Sequence, residues 1–164
     1  MGDYYGEALP LETMTDQRLV RAYRYWLDHC HGHPFPARTD IAPEEMTPFL
    51  SNVMLINVRH DPLDFVYRVF GTSIAVAHGA DYTGKSVRNL DPPEFSAIIW
   101  RQYKDVLDRG TPVLHRVVFA PADAYRNYQR ITMPLSSDGR TIDKLLAVSD
   151  EDHSFWEKKA TASG

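Results

Sequence analysis

Apolar residues return at helical spacing in two long stretches of the chain. Between Thr15 and Cys30 they recur every three or four residues, and arginines occupy the opposite side, which predicts an amphipathic helix. A second stretch follows Pro92 and Pro93 and ends at Gly110, a residue that suits the position after a helix. The pattern therefore predicts one helix near the N terminus and a longer helix in the middle of the chain.

Strand-like stretches surround the longer helix, and each is short and bounded by turn residues. Residues 64–70 carry apolar side chains on both faces, stop at Gly71 and lead into a short apolar helix that ends at Gly79. Because two strands precede the helices and three follow them, we expect an antiparallel sheet with helices on one face. The five predicted strands are residues 52–58, 64–70, 112–120, 125–134 and 142–149.

These patterns divide the chain into four parts. Residues 1–14 have little periodicity and are expected to be a flexible tail. Residues 15–50 form an N-terminal helical extension, and residues 51–150 carry the sheet. In residues 151–164 acids precede lysines, which is typical of a short helix followed by a tail.

Composition excludes several classes of function. The net charge is −4, which gives no basic field for binding nucleic acid. No apolar run approaches the roughly 20 residues of a membrane span. Cys30 is the single cysteine, so the chain cannot form an internal disulfide, as is usual in a reducing compartment. We therefore predict a cytoplasmic protein that binds neither nucleic acid nor membrane.

Several short motifs, in their order and spacing, resemble the PAS domain superfamily over roughly residues 15–150. The resemblance is to short bacterial proteins in which a single PAS domain follows an N-terminal amphipathic helix. Its motifs are the helix ending near Trp26, Pro36–Ile41, Pro43, Phe65–Thr72, Asp81–Gly84, Met133–Leu135 and Asp138–Gly139.

The resemblance implies a fold and a role. The fold is α+β, with a five-stranded antiparallel sheet in the order 2-1-5-4-3 cupped by helices around a small cavity. The role is sensing or regulation, and such domains commonly pair through flanking helices. No catalytic residue set comes with the family, and its ligands vary, so the cofactor is left unknown. About fifteen residues follow the last strand, so output is expected to pass through contact with another signalling protein. Residues 72–84 lack the cysteine of flavin photosensors.

Aromatic and polar residues near the predicted strands are candidates for lining the cavity, although they suit a dry core equally well. Arg68 lies among apolar residues; if buried, it either grips a ligand carboxylate or pairs with Asp40 or Asp81. His78 and His115 are open to a role as haem ligands or as hydrogen-bonded core residues. The candidates are Tyr67, Arg68, Phe70, Ile74, His78, Trp100, Tyr103 and His115.

The apolar side of the first helix has two interpretations, which the sequence leaves open. It either forms the seam of a homodimer or packs on its own domain, because a helix must bury a tryptophan somewhere. The residues concerned are Leu19, Tyr23, Trp26 and Leu27. The histidine-rich segment 29–33 that follows is broken by Gly32, so we predict no metal site there.

The leading hypothesis is a regulator without catalytic activity, which forms a homodimer and binds a small ligand or a signalling partner. The alternative is a small α+β-cone enzyme of the isomerase or dehydratase type, with Asp64, Asp81 or His115 as its acid–base group. Topology separates the two, because a PAS domain places its helices between the second and third strands of the sheet.

Overall fold

Six strands pair in one antiparallel sheet in the order β1-β4-β5-β6-β2-β3. The computed structural model describes residues 3–120 and 126–151. The strands are β1 (Asp3–Leu9), β2 (Val53–Arg59), β3 (Asp64–Phe70), β4 (Val113–Ala120), β5 (Arg126–Leu135) and β6 (Lys144–Ser149). The five predicted strands are confirmed, and their order agrees with the predicted 2-1-5-4-3 arrangement, to which the structure adds β1 beside β4.

The added strand β1 corrects the prediction of a flexible tail over residues 1–14. Asp3–Leu9 pairs along its whole length with β4. From Tyr5 to Ala8 its side chains are exposed, and only Leu9 is half-buried. Main-chain hydrogen bonds hold such an edge strand in place, so it leaves no alternation of apolar residues in the sequence.

Three α-helices accompany the sheet, namely α1 (Gln17–Asp28), α2 (Thr72–His78) and α3 (Pro93–Arg109). Asp16 caps α1 by accepting a hydrogen bond from the Arg18 main chain. Gly79 and Gly110 end α2 and α3 in the left-handed conformation, as predicted. The 3-10 segments are Leu11–Thr13, Arg38–Asp40, Pro43–Asn52 and Val87–Asn89.

The helices between β3 and β4 lie on one face of the sheet, as predicted, and the N-terminal helix α1 lies on the other. On the face that we call inner, α2 and α3 enclose the larger apolar core, which includes Phe65 and Tyr103. On the opposite, outer face, α1 and the 3-10 segment Pro43–Asn52 enclose a second core. A central antiparallel strand with apolar residues on both faces, such as β6, is therefore buried on both sides.

The apolar side of α1 packs on its own domain. Leu19 is fully buried, and Trp26 is 5% exposed and donates a hydrogen bond from Nε1 to the Pro134 carbonyl at 2.9 Å. Tyr23 is half-buried, and Leu27 is 47% exposed. Of the two interpretations of this helix, the structure shows the one in which Trp26 is buried within its own domain.

In the described part of the chain, no helix is long and apolar enough to cross a membrane. The predicted C-terminal helix and tail lie outside the described residues, except for Glu151.

Candidate ligand-binding cavity

A small cavity lies between the inner face of the sheet and helices α2 and α3. Its volume is about 10 Å³, room for roughly one water molecule. Aromatic rings take up most of the surrounding space; the Tyr67 ring meets Phe70 edge-on at 5.0 Å and Tyr103 at 6.4 Å between centroids. The lining residues are Met54, Tyr67, Phe70, His78, Leu90, Phe95, Ile99, Tyr103, Tyr128, Arg130 and Glu151.

Arg130, on β5, brings a positive charge into this core. It is 1% exposed, and its Nε donates to Thr132 Oγ1 at 3.1 Å. Its NH2 group donates to Gln102 Oε1, and the guanidinium lies 4.9 Å from the centre of the Tyr103 ring. Among the described residues no carboxylate lies within 4.0 Å of Arg130. A buried cation held by neutral groups alone is costly, so Arg130 makes the cavity attractive to an anion.

His78 and Glu151 form a buried polar pair at the cavity wall beside α2. His78 Nε2 and Glu151 Oε2 are 3.0 Å apart, and the side chain of Glu151 is 1% exposed. The His78 ring stacks on Phe95 with centroids 5.5 Å apart. The carboxylate thus joins the end of the sheet to α2 and takes part in closing the cavity.

The hydroxyl groups of Tyr67 and Tyr103 meet inside the core at 3.3 Å. Burial raises the pKa of the Tyr67 hydroxyl well above its ordinary value, and burial raises the pKa of Tyr103 as well. Both hydroxyls therefore stay protonated at physiological pH. They can donate or accept hydrogen bonds beside Arg130, but they do not supply a base.

Four of the predicted cavity residues line the cavity, namely Tyr67, Phe70, His78 and Tyr103. Ile74 is buried in the inner core without lining it. Trp100 lies half-buried on α3, where its ring meets Phe65 edge-on and the Arg88 guanidinium lies over it, 4.4 Å from the ring centroid. The structure therefore does not place Trp100 at the cavity.

Arg68 was a candidate for lining the cavity, but the structure places it on the surface, so the condition for a buried ion pair or a ligand contact is not met. The register between β2 and β3 shifts so that Leu55 faces Val69 while Ile56 faces Tyr67, which leaves Arg68 as the extra residue of a β-bulge. Its side chain is exposed. Neither Asp40 nor Asp81 forms an ion pair with it among the described residues. The bulge also turns Phe70 inwards and Val69 outwards.

His115 lies on β4 and faces α3 at a different place from the cavity. It is 2% exposed, and its Nε2 is 2.9 Å from Asp105 Oδ2. Its Nδ1 is buried and has no hydrogen-bond partner among the described residues. Burial lowers the pKa of His115 to about 4, and the charge of Arg130 adds to this effect. The imidazole is therefore neutral at physiological pH.

The stability of the protein is expected to depend on pH through His115. Between about pH 6.5 and 4, the unfolded chain holds a proton on this side chain and the folded chain does not, so stability falls as the pH decreases through this window. Urea unfolding of the wild type and of His115→Gln across pH 7 to 4 measures the difference. The variant should lack up to about 1.4 kcal/mol per pH unit of this slope, which corresponds to one proton. Parallel pH profiles would contradict the assignment.

The acid–base candidates of the alternative hypothesis do not converge on the cavity. Asp64 accepts hydrogen bonds from Ser86 Oγ and from the Phe65 main chain, and Asp81 caps an exposed turn at Thr83. None of Asp64, Asp81 and His115 lines the cavity. Both α2 and α3 lie between β3 and β4, as the PAS arrangement requires.

The alternatives that involve a metal or haem find little support in the geometry. His29 contacts the Tyr25 carbonyl through Nδ1 at 2.7 Å, and within residues 3–120 and 126–151 no group of three His, Cys, Asp or Glu residues could hold a metal ion. A haem needs far more room than the 10 Å³ of the cavity. His78 and His115 each bond to a carboxylate, as core histidines commonly do.

Sequence reasoning missed Arg130 and Glu151, the two charged residues of the cavity. Residues Tyr128, Arg130 and Thr132 share one face of β5, so the period of the strand could have placed Arg130 beside the tyrosine. No such signal existed for Glu151, because it follows the last strand within a run of acids.

One comparison with known proteins gives a match. The model of a family described as "PAS domain" matches residues 14–148, which is most of the chain. No curated protein and no solved structure matches the chain.

Proposed function

Because the chain belongs to the PAS domain family, a family of sensory and regulatory domains, we propose that it regulates by contact with another protein. The observation that carries this proposal is the volume of the cavity, about 10 Å³. Ligand pockets for small molecules usually offer roughly 300–1,000 Å³. An interior filled by its own aromatic side chains supports a role in which the surface of the domain, rather than its cavity, carries the signal.

A homodimer in the cytoplasm, without catalytic activity, is part of the same proposal. The buried side of α1, including Trp26, packs within the domain, which supports a dimer contact elsewhere on the helix. Among the residues predicted for the dimer helix, Leu27 is the one that remains exposed. We therefore expect dimer contacts to involve the solvent side of α1 rather than its apolar stripe.

A second candidate function is the binding of a small anion in the cavity, and Arg130 specifically favours it. Its guanidinium is buried, its hydrogen-bond partners among the described residues are neutral, and it lies 4.9 Å from the ring of Tyr103, whose hydroxyl meets that of Tyr67. An anion of the carboxylate class would balance this charge and accept hydrogen bonds from the tyrosines. To admit it, α2 would have to move away from the sheet, since the closed cavity holds about one water.

Native mass spectrometry of the purified protein, with a denatured run beside it, distinguishes the two candidates. The first predicts a dimer whose mass is that of two polypeptides alone. A small-molecule mass that is lost on denaturation would contradict it and support the second. In that case Arg130→Met should lose the added mass, whereas Arg68→Met, which removes an exposed arginine, should keep it. A monomer without added mass would remove the homodimer from the proposal.

A further inference from the structure

A groove of about 580 Å³ lies between the edge strand β1 and helix α3. This edge groove is lined by residues 5–8 of β1, by one side of α3 and by His115 of β4. An added Cβ at Gly6 would clash with the Gln102 side chain, so the glycine lets β1 lie against α3 and keeps a side chain out of the groove. The volume lies within the roughly 300–1,000 Å³ that binding pockets offer, unlike that of the inner cavity.

The edge of β1 that faces away from β4 is open. Strand β1 is the last strand of the sheet and pairs with β4 alone. Within the described part of the chain, its main chain makes no hydrogen bond beyond this pairing. The strand contains no proline and no bulge, two features that commonly protect an edge strand. A further strand can therefore be added to β1 through main-chain hydrogen bonds.

The charged side chains of the edge groove leave one positive charge without a partner. Arg101, on α3, is exposed, and no carboxylate of the described residues lies within 4.0 Å of it. The other charged residues form the ion pairs Lys104–Asp108 at 2.9 Å, Arg109–Asp105 at 2.9 Å and Arg116–Glu7 at 3.0 Å. Arg101 therefore favours a partner with an acidic side chain.

His115 adds a buried hydrogen-bond acceptor to the edge groove. Its Nε2 donates to the Asp105 carboxylate, which leaves a lone pair on Nδ1 that has no partner among the described residues. Asp105 lies one helical turn, about 6 Å, from Arg101. In an extended segment, side chains two residues apart share one face and are about 6.5 Å from each other. An acidic residue and a donor such as serine, two positions apart, therefore match the two groups.

We propose that the edge groove binds an extended acidic segment of a partner protein, which pairs with β1 as a seventh strand. Main-chain hydrogen bonds to β1 hold the segment, and its alternate side chains enter the groove. The acid of the segment pairs with Arg101, and its donor bonds to His115. This inference rests on the proposed regulation by contact with another protein, and it adds the surface and the chemistry of the partner.

Selection from a displayed library of random seven-residue segments, with the full-length protein immobilised, tests the proposal. The selected sequences should share an acidic residue with serine, threonine or asparagine two positions away. A synthetic peptide of the selected sequence should slow amide hydrogen exchange in residues 3–9. Fluorescence anisotropy should show an affinity about fivefold or more lower for Arg101→Met. Arg140→Met is the matched control and should keep the wild-type affinity, because Arg140 is exposed and does not line the groove.

Two N-methylated versions of the selected peptide test the strand pairing without altering the protein. Methyl groups at the odd or at the even positions remove alternate N–H groups, and a strand at the end of a sheet uses only one of these sets. One version should therefore bind like the parent peptide, and the other should lose binding.

Equal effects of the two N-methylated versions would overturn the proposal. Equal affinities of Arg101→Met and Arg140→Met would do the same, as would a selection that yields no binder or does not enrich an acidic residue. Peptides that protect a different surface would overturn the assignment to β1 and leave regulation by protein contact in place. The native mass measurement tests that broader proposal separately.

Discussion

Replacing Trp26 with alanine is expected to lower the free energy of unfolding by about 3–5 kcal/mol, the range for truncating a buried aromatic side chain. The indole is 5% exposed, packs in the outer core, and donates its N–H to the Pro134 carbonyl. Truncation leaves a cavity and removes the partner of a buried carbonyl. Urea unfolding, followed by circular dichroism, measures the loss.

Leu27→Ala is the matched control for Trp26→Ala. Leu27 is the next residue of α1 but is 47% exposed, so at a protein concentration low enough to keep the chain monomeric its truncation should change the free energy of unfolding by no more than about 0.5 kcal/mol. If Trp26→Ala instead kept its stability and lowered the mass seen in light scattering, the tryptophan would belong to a dimer seam, and the packing described here would be wrong.

Replacing Gly71 with alanine is expected to destabilise the protein by about 1–3 kcal/mol, as overpacking of a closed site does. Gly71 joins β3 to α2, and its N–H donates to the Val53 carbonyl at 2.8 Å. An added Cβ would lie 2.7 Å from that same carbonyl oxygen and closer still to the Ser51 carbonyl oxygen. Both obstacles are main chain, so a side-chain rotation cannot relieve the contact. Thermal or urea unfolding measures the effect.

Thr72→Ala provides the control for Gly71→Ala, because Thr72 is the first residue of α2 and is exposed. Its substitution should leave stability within about 0.5 kcal/mol of the wild type. Equal effects of the two substitutions would mean that the start of α2 tolerates a Cβ at Gly71, and that the close approach to the Ser51–Val53 main chain is not a constraint.

The sequence predicts those helices and strands whose buried apolar side chains recur at the period of the element. The helix after Pro92 begins at Pro93 and ends before Gly110, because the proline and glycine signals agree with the apolar spacing. The edge strand β1 escaped prediction, since its exposed side chains carry no alternation. The bulge at Arg68 escaped for a different reason. A bulge changes which residues share a face of the strand. The residue types of β3 give no sequence signal for a bulge at this position.

The cavity was predictable in its aromatic residues and not in its charges. Tyr67, Phe70 and Tyr103 are large and lie on elements whose inner faces the pattern defines. Arg130 is buried because Gln102 and Thr132 satisfy its donors, and these partners come from α3 and from β5 itself. When the hydrogen-bond partners of a buried polar group come from other parts of the fold, the local sequence around that group gives no sign of them.

The pairing of β1 with β4 has a consequence for the order of folding. Leu9 pairs with Leu114, and Tyr5 pairs with Val118. Contacts between residues so far apart in the sequence form slowly, because the entropy of closing a long loop is lost before the strand pairing can stabilise the chain. On the ribosome, β1 is synthesised well before β4 and must wait for it to emerge, whereas the β2–β3 hairpin needs only its own residues. The first strand of the chain is therefore expected to be among the last to take its place.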